Sequence, residues 1–174
     1  MPLVFQFGSN TSVQRLNSAA RLNGAAKVIG PAHTKKKYEL DFTVWSRSND
    51  CAAADIVPEG TTLIWGVLYE ISEELIYRHL SGERKSLDEI EGEGGNYERT
   101  EIEVISNTEY NKPISVLTYV VRERKKELKT SVAYASEMLN GLTSNNIPNC
   151  YLQYAYKRIL LNNKDLRHKL PAIS

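Results

Sequence analysis

The residues best suited to chemistry lie in two short segments, the first of which is "FGSN" at positions 7–10. It follows apolar residues that begin at Leu3, a pattern typical of a buried strand that ends in a turn. Such a turn can direct several backbone N–H groups to one point, and a concave set of donors suits an anion such as a carboxylate. The side chains of Ser9 and Asn10 could add hydrogen bonds. Because Gly, Ser and Asn are common turn residues, an ordinary β-turn is the alternative.

The second segment is the acidic stretch "SLDEIEGEGGNYER" at positions 86–99. If "SLDEIE" forms a helical turn, Glu91 lies on the same side as Leu87, because positions four apart share a face. Glu91 should then point inward, where an apolar setting raises the pKa of a carboxyl group toward the range that a general acid or base requires. Asp88 and Glu89 are expected to face outward or to cap the turn. The alternative is a solvated acidic loop.

The other reactive side chains match no catalytic or metal-binding motif. Cys51 and Cys150 are the only cysteines, and without CxxC spacing they predict neither a zinc site nor a disulfide framework. The three histidines have no ligand spacing either. Ser9 lacks the Gly-x-Ser-x-Gly surroundings of a hydrolase nucleophile. These observations predict no metal site and no hydrolase-type nucleophile.

Strand-like patterns fill the first two thirds of the chain, and helical spacing takes over near the end. Between Ser12 and Pro31 the pattern is ambiguous, and we expect a helical turn followed by a strand from near Ala25. Short helical turns are expected in "EELIYRHLSG", with Leu80 facing inward, and in "KSLDEIEG". The predicted strands are 3–7, 38–45, 54–57, 62–71, 98–105 and 113–122, and the predicted helices are 131–141 and 148–162.

This element order predicts an α+β fold, a small and mostly antiparallel β-barrel with helices packed outside it. No linker or repeat divides the chain, so one domain over 1–174 is expected. The net charge is only +1, from 22 basic and 21 acidic residues, which argues against nucleic acid or a membrane surface as a partner. No apolar run reaches the roughly 18–20 residues of a membrane span, and "MPLVFQFG" is a poor signal peptide. A cytoplasmic location is expected.

Taken together, the two segments and their flanks resemble the γ-glutamylcyclotransferase-like family, which includes AIG2-like proteins and γ-glutamylamine cyclotransferases. "VFQFGSN" is similar to the family's Tyr-Gly-Ser-Asn turn after the first strand, and "LDEIEG" is similar to its Leu-Asp-x-x-Glu-Gly segment with a following Tyr. "LIWGVLYEIS" resembles the strand before the acidic segment, and "SVAYASEMLNGLTSNNIPNCYLQYAYK" resembles the closing helices. The order and spacing of these motifs carry the resemblance over most of the chain.

The resemblance implies a closed barrel with a pocket at one mouth, and an enzyme of the amide-cleaving lyase or acyltransferase type. The turn would bind the α-carboxylate of a γ-glutamyl substrate, and Glu91 would act as base and acid. No cofactor is implied, and the expected partner is the small-molecule substrate of a monomer or homodimer. The expected substrate-binding residues are Phe5, Gln6, Phe7, Gly8, Ser9, Asn10, Tyr97, Tyr119 and Tyr134.

Two positions depart from the family pattern: Phe7 stands where a Tyr is usual, and Thr11 stands where Leu is common. The missing hydroxyl at Phe7 leaves the backbone donors of the turn intact, so it bears on the substrate more than on the reaction. The leading hypothesis is a cyclotransferase that releases 5-oxoproline and an amine or amino acid, as in glutathione metabolism. The alternatives are a non-catalytic binding module on the same barrel and a related cyclotransferase or lyase that acts on a modified metabolite.

Overall fold

The described part of the chain, residues 1–106 and 112–173 of a computed structural model, forms one sheet of six strands. The order is β3-β2-β4-β1-β6-β5, and β2 also pairs with β5, so that every strand except β3 belongs to a closed five-stranded barrel. All pairs are antiparallel except β1 with β6. The α+β barrel is therefore confirmed. The strands are β1 (Leu3–Gln6), β2 (Lys27–Ser46), β3 (Cys51–Pro58), β4 (Thr62–Glu70), β5 (Tyr97–Ser106) and β6 (Pro113–Val121).

Strand β2 unites two segments that the sequence pattern separates, the strand expected from near Ala25 and the strand expected over 38–45. It runs for 20 residues and serves two parts of the sheet: its first half pairs with β4 and β5, and its second half pairs mainly with β3. Register shifts between His33 and Lys37 and at two other places let it bend. The lysines at 35–37 are exposed at the bend, which is why they interrupt the alternation of the sequence.

Five helices and two 3-10 turns complete the described structure. They are α1 (Val13–Leu16), α2 (Glu73–Ile76), α3 (Leu87–Glu91), α4 (Val132–Ser144) and α5 (Asn149–Asn162), with the turns at Ser9–Thr11 and Lys164–Leu166. The side chain of Ser131 caps α4, and Pro148 precedes α5 as the sequence indicates. None of these helices has the length and apolar character needed to cross a lipid bilayer.

The two faces of the barrel strands contribute to two apolar clusters. In β4, Leu68 belongs to the cluster that includes residues of α4 and α5, whereas Val67 and Tyr69 belong to the cluster that includes residues of the short helices. Leu87 is fully buried in this second cluster and anchors α3 to the barrel. The inward orientation expected for Leu80 is wrong, because α2 ends at Ile76 and the side chain of Leu80 is 46% exposed.

Helix α4 packs directly on the turn that follows β1. A Cβ atom at Gly141 would lie 2.4 Å from the backbone nitrogen of Ser12 and 2.6 Å from the carbonyl carbon of Thr11. Only glycine therefore allows this close approach of helix and turn. Asn145, just after α4, adds a hydrogen bond from its Nδ2 to the carbonyl oxygen of Thr11 at 3.0 Å. The contact holds α4, and with it Tyr134, against the turn.

Candidate active site

The turn after β1 is fixed by side chains that hold its carbonyl groups. The hydroxyl of Tyr69 on β4 lies 3.0 Å from the carbonyl oxygen of Asn10 and 3.2 Å from that of Thr11. The hydroxyl of Thr11, which is fully buried, donates to the carbonyl oxygen of Gly8 at 2.8 Å. The departure at position 11 from the usual leucine thus adds a hydrogen bond inside the turn. These contacts engage carbonyl oxygens of the turn, whereas the backbone N–H of Ser9 donates to Tyr134 Oη at 3.4 Å.

Glu91 is the last residue of α3, a helix of little more than one turn whose ends are both capped. The side chain of Ser86 accepts from the backbone N–H of Glu89, and the side chain of Glu89 accepts from that of Ser86, which together form a capping box. Gly92 ends the helix in the left-handed conformation, with φ of 72°. The expectation that Glu89 caps the turn is confirmed. These caps fix the two ends of the helix and thereby the position of Glu91.

The carboxylate of Glu91 meets the turn through two side-chain amides. Gln6 Nε2 donates to Glu91 Oε1 at 2.9 Å, and Asn10 Nδ2 donates to the same oxygen at 2.7 Å. Burial raises the pKa of Glu91, while these two hydrogen bonds, and more weakly the charges of Arg21 and Arg15, lower it. The net effect is that the pKa of Glu91 is raised. The two segments singled out in the sequence, 7–10 and 86–99, therefore lie together in the structure, with Glu91 beside the turn.

Two tyrosine hydroxyls bracket the peptide groups of Ala54 on β3. Tyr134 Oη accepts from the backbone N–H of Ala54 at 3.0 Å and from that of Ser9 at 3.4 Å. Tyr97 Oη donates to the carbonyl oxygen of Ala54 at 3.1 Å. Burial raises the pKa of both hydroxyls, so both are neutral near pH 7. A Cβ atom at Gly8 would lie 2.9 Å from Tyr134 Oη, so glycine allows the tyrosine to reach the turn.

Asp88 corrects an expectation from the sequence, because its side chain points inward and not to solvent. Its oxygens lie 2.6 Å and 2.7 Å from Arg99 Nη1, and one of them accepts from the hydroxyl of Tyr119 at 2.8 Å. The backbone N–H of Arg78 donates to the carboxylate as well, at 3.2 Å. Leu87 and Asp88 are the buried residues of this short helix, whereas Glu89 is exposed. Asp88 ties α3 to β5 and β6.

The groups that surround Glu91 enclose a cavity of about 30 Å³, the space of roughly one water molecule. Phe5 is a second correction, since its ring lies in the fully buried core, where a Cβ atom at Gly66 would come within 2.8 Å of it. Strand alternation turns Phe5 away from the face that carries Gln6. The lining residues are Gln6, Phe7, Gly8, Ser9, Asn10, Ala54, Glu91, Tyr97, Tyr119 and Tyr134.

Sequence reasoning missed Ala54 and two arginines near the site. Ala54 contributes only backbone groups, which leave no signal in the sequence. Arg21 Nη1 donates to Asn10 Oδ1 at 3.0 Å, so the arginine orients the amide that donates to Glu91. Arg15 lies close enough to Arg21 and Glu91 for their charges to interact. Two arginines in the ambiguous segment that directly follows the turn are the signal that could have indicated them.

Comparison with known proteins gives one family and several similar folds. The sequence model of the AIG2-like family matches residues 63–154. No curated protein sequence matches significantly.

Three solved structures superpose on most of the chain. A protein named gamma-glutamyl cyclotransferase has a TM-score of 0.74 at 22% identity over 89% of this chain and 86% of its own. An uncharacterized protein from Homo sapiens has a TM-score of 0.73 at 24% identity over 88% and 85%. YkqA from Bacillus subtilis has a TM-score of 0.70 at 22% identity over 91% of this chain and 54% of its own. At such identities the similarity establishes the fold.

Proposed function

The chain belongs to the AIG2-like family, and we propose that it is a γ-glutamyl cyclotransferase with Glu91 as its general base and acid. One observation carries the proposal. The Glu91 carboxyl, with a raised pKa, lies within hydrogen-bond distance of two amides at the turn after β1, 2.9 Å from Gln6 Nε2 and 2.7 Å from Asn10 Nδ2. A binding module has no need of a partly buried carboxylate, which is unfavourable unless it is compensated.

The reaction is an intramolecular exchange of one amide for another. The α-amine of the γ-glutamyl group attacks the γ-carbonyl carbon, so that a new C–N bond closes a five-membered ring and the original amide C–N bond breaks. One proton leaves the attacking amine and one reaches the departing amine, which gives 5-oxoproline and a free amine without consuming water. Because both reacting groups belong to one molecule, the protein supplies mainly orientation and proton transfer.

Glu91 suits both proton transfers. Gln6 and Asn10 both donate to Oε1, and the other oxygen, Oε2, is the one that we assign to exchange protons with the substrate. A raised pKa brings the carboxyl group closer to the pKa of an amine, which favours taking a proton from one amine and returning it to another.

The turn and the tyrosines complete the proposed site. Backbone N–H groups of Ser9 and Asn10, at the start of the 3-10 turn, are suited to the α-carboxylate of the substrate, which would replace Tyr134 Oη as the acceptor for the N–H of Ser9. The Tyr134 hydroxyl is suited to donate to the γ-carbonyl oxygen, whose negative charge grows during the attack. A γ-glutamyl group is larger than the 30 Å³ cavity, so binding requires side chains to move, and half-buried Glu91 can rotate toward solvent.

The test is a product assay on the whole chain with a panel of γ-glutamyl amines, γ-glutamyl dipeptides and glutathione. We expect at least one compound to release 5-oxoproline and its amine in equal amounts, detected by mass spectrometry. If none releases 5-oxoproline, the proposed enzyme is wrong. Saturable calorimetric binding of a panel compound without turnover would instead support the binding module.

A further inference from the structure

Two arginines beside the candidate site, Arg15 and Arg21, are each held by a neutral amide. Arg15 Nη2 donates to Asn49 Oδ1 at 2.5 Å, and Arg21 Nη1 donates to Asn10 Oδ1 at 3.0 Å. Within residues 1–106 and 112–173, neither guanidinium forms a salt bridge with a carboxylate. Both side chains are half-buried. The positive charges of Arg15 and Arg21 therefore lie near the cavity without a carboxylate of the described residues paired to either of them.

The carboxylates near Arg21 act on it without forming a salt bridge among the described residues. Burial lowers the pKa of Arg21, and the charge of Arg15 lowers it further, whereas Glu91 and Glu137 act in the opposite direction. Glu91 is already engaged by the amides of the turn. Arg15 Nε is buried and has no hydrogen-bond partner among the described residues. Two like charges with an unused buried donor form an arrangement that an anion would complete.

We propose that Arg15 and Arg21 form a subsite for a carboxylate on the amine that leaves the γ-glutamyl group. The inference rests on the proposed function and narrows its substrates to γ-glutamyl amino acids or peptides in preference to γ-glutamyl amines. The leaving amine must come close to Glu91 to receive its proton. Arg21 lies one side chain away from Glu91, because Asn10 contacts both of them, so a carboxylate near that amine comes within reach of the guanidinium.

The probes are γ-glutamyl-alanine and γ-glutamyl-ethylamine, which differ only in the carboxylate of the leaving amine. We expect wild-type protein to have the higher kcat/KM for γ-glutamyl-alanine. Arg15→Gln should lower that preference about tenfold, mainly through KM, because a charge-assisted hydrogen bond is lost. Arg15→Lys should restore part of it, since the charge is kept. Added salt should weaken the preference in wild type, because the arginines are only partly buried.

Arg21→Gln gives a second, independent variant. Because Arg21 also orients Asn10, this change is expected to lower kcat for both probes, and the ratio between the probes separates that effect from anion binding. Arg167→Gln, an exposed arginine near the end of the chain, is the matched control and should leave both the ratio and the activity unchanged. Circular dichroism of each variant checks that it is folded.

A binding measurement keeps this inference separate from the proposed reaction. In the Glu91→Gln background, calorimetry should show tighter binding of γ-glutamyl-alanine than of γ-glutamyl-ethylamine, and adding Arg15→Gln should remove the difference. If this binding difference is seen although the wild-type protein turns over no compound of the panel, the subsite stands and the proposed reaction is wrong. If both probes weaken equally in the arginine variants, or if wild type never prefers the carboxylate, the subsite is wrong.

Discussion

At the scale of single residues, the charge of Glu91 reflects two opposed influences. Burial favours the protonated carboxyl group, whereas the donors on Gln6 and Asn10 favour the ionised one. Burial is the larger influence, so the pKa is raised, but the donors keep it from rising further. A group whose ionisation is held in such a balance can both accept and return a proton. The balance can be tested from each side by substitution.

Glu91→Gln removes the proton transfer and retains the volume of the side chain. We expect the release of 5-oxoproline to fall about 10²–10⁴-fold, the usual contribution of general acid–base catalysis, because a glutamine can neither accept nor return the proton. The assay is product formation by mass spectrometry on a confirmed substrate. Glu98→Gln, an exposed change of the same type on β5, is the matched control. A folded Glu91→Gln protein with near wild-type turnover would contradict the mechanism.

The same variant should be as stable as the wild type or more stable. Since the pKa of Glu91 is higher in the folded protein than in the unfolded chain, the folded state binds that proton more tightly. The free energy of unfolding therefore falls as pH rises through the interval between the two values. Glu91→Gln removes this contribution, and urea unfolding at pH 7 against pH 4 measures it.

Gln6→Leu tests the opposite influence on the same carboxyl group. Loss of the donor at 2.9 Å removes a hydrogen bond that stabilises the ionised form, so the pKa of Glu91 should rise. Because the base must be deprotonated, the acid limb of kcat/KM against pH should move to higher pH. A profile that keeps its acid limb unchanged, or moves it lower, would show that Gln6 does not act on the titrating group.

At the scale of elements, α3 depends on its contacts for its position. A helix of five residues is far too short to be stable alone, so its two caps, the burial of Leu87 and the network around Asp88 must hold it. Glu91 is its last residue and moves with it. The inward orientation of Asp88 therefore changes what a substitution there is expected to do.

Asp88→Asn should weaken both stability and activity, although Asp88 lines no part of the cavity. The change removes the charge that pairs with Arg99 and weakens acceptance from Tyr119, so we expect a loss of ~1–3 kcal/mol in the free energy of unfolding. Activity should fall mainly through kcat as α3 shifts. Glu89→Gln, which keeps an acceptor for the cap, should have a much smaller effect on both quantities. Chemical denaturation and steady-state kinetics measure the two effects.

At the scale of the molecule, the barrel brings β1 between β4 and β6 and thereby fixes the origin of the turn. Val4 and Phe5 on this strand are fully buried. Gly66 on β4 lets the backbone of Gln6 approach closely, since a Cβ atom there would lie 2.3 Å from the carbonyl oxygen of Gln6. The candidate site thus follows directly on a strand that is paired on both edges and largely buried.

Native-state hydrogen exchange should report this enclosure. We expect the amides of β1 and β4 to exchange at the rate of global unfolding, because their exchange requires opening of the barrel. Amides of residues 82–85, in the exposed stretch between α2 and α3, should exchange many times faster and serve as the internal reference. Comparable rates in β1 and in that reference stretch would show that the turn is not held by a rigid sheet.

Local patterns in the sequence were enough to predict most of the strands, the two long helices, the turn after β1 and the inward direction of Glu91. They did not predict the full extent of β2 and β3. Each of these depends on neighbours within a few positions: alternation in a strand, three- and four-residue spacing in a helix, or turn-forming residues. The order of the motifs indicated the family. The resemblance to that family in turn predicted the tyrosines that line the cavity together with residues of the turn.

Only the tertiary structure decided the environment of these residues. The bends of β2 across its exposed lysines, the burial of Asp88 against Arg99, the place of Phe5 in the core and the approach of Arg21 to Asn10 each join segments that periodicity treats separately. Helical or strand spacing states which side of an element a residue occupies, but not which other element covers that side. Whether a carboxylate is solvated, paired or poised to exchange a proton depends on that covering element, because desolvation and hydrogen bonding set its pKa.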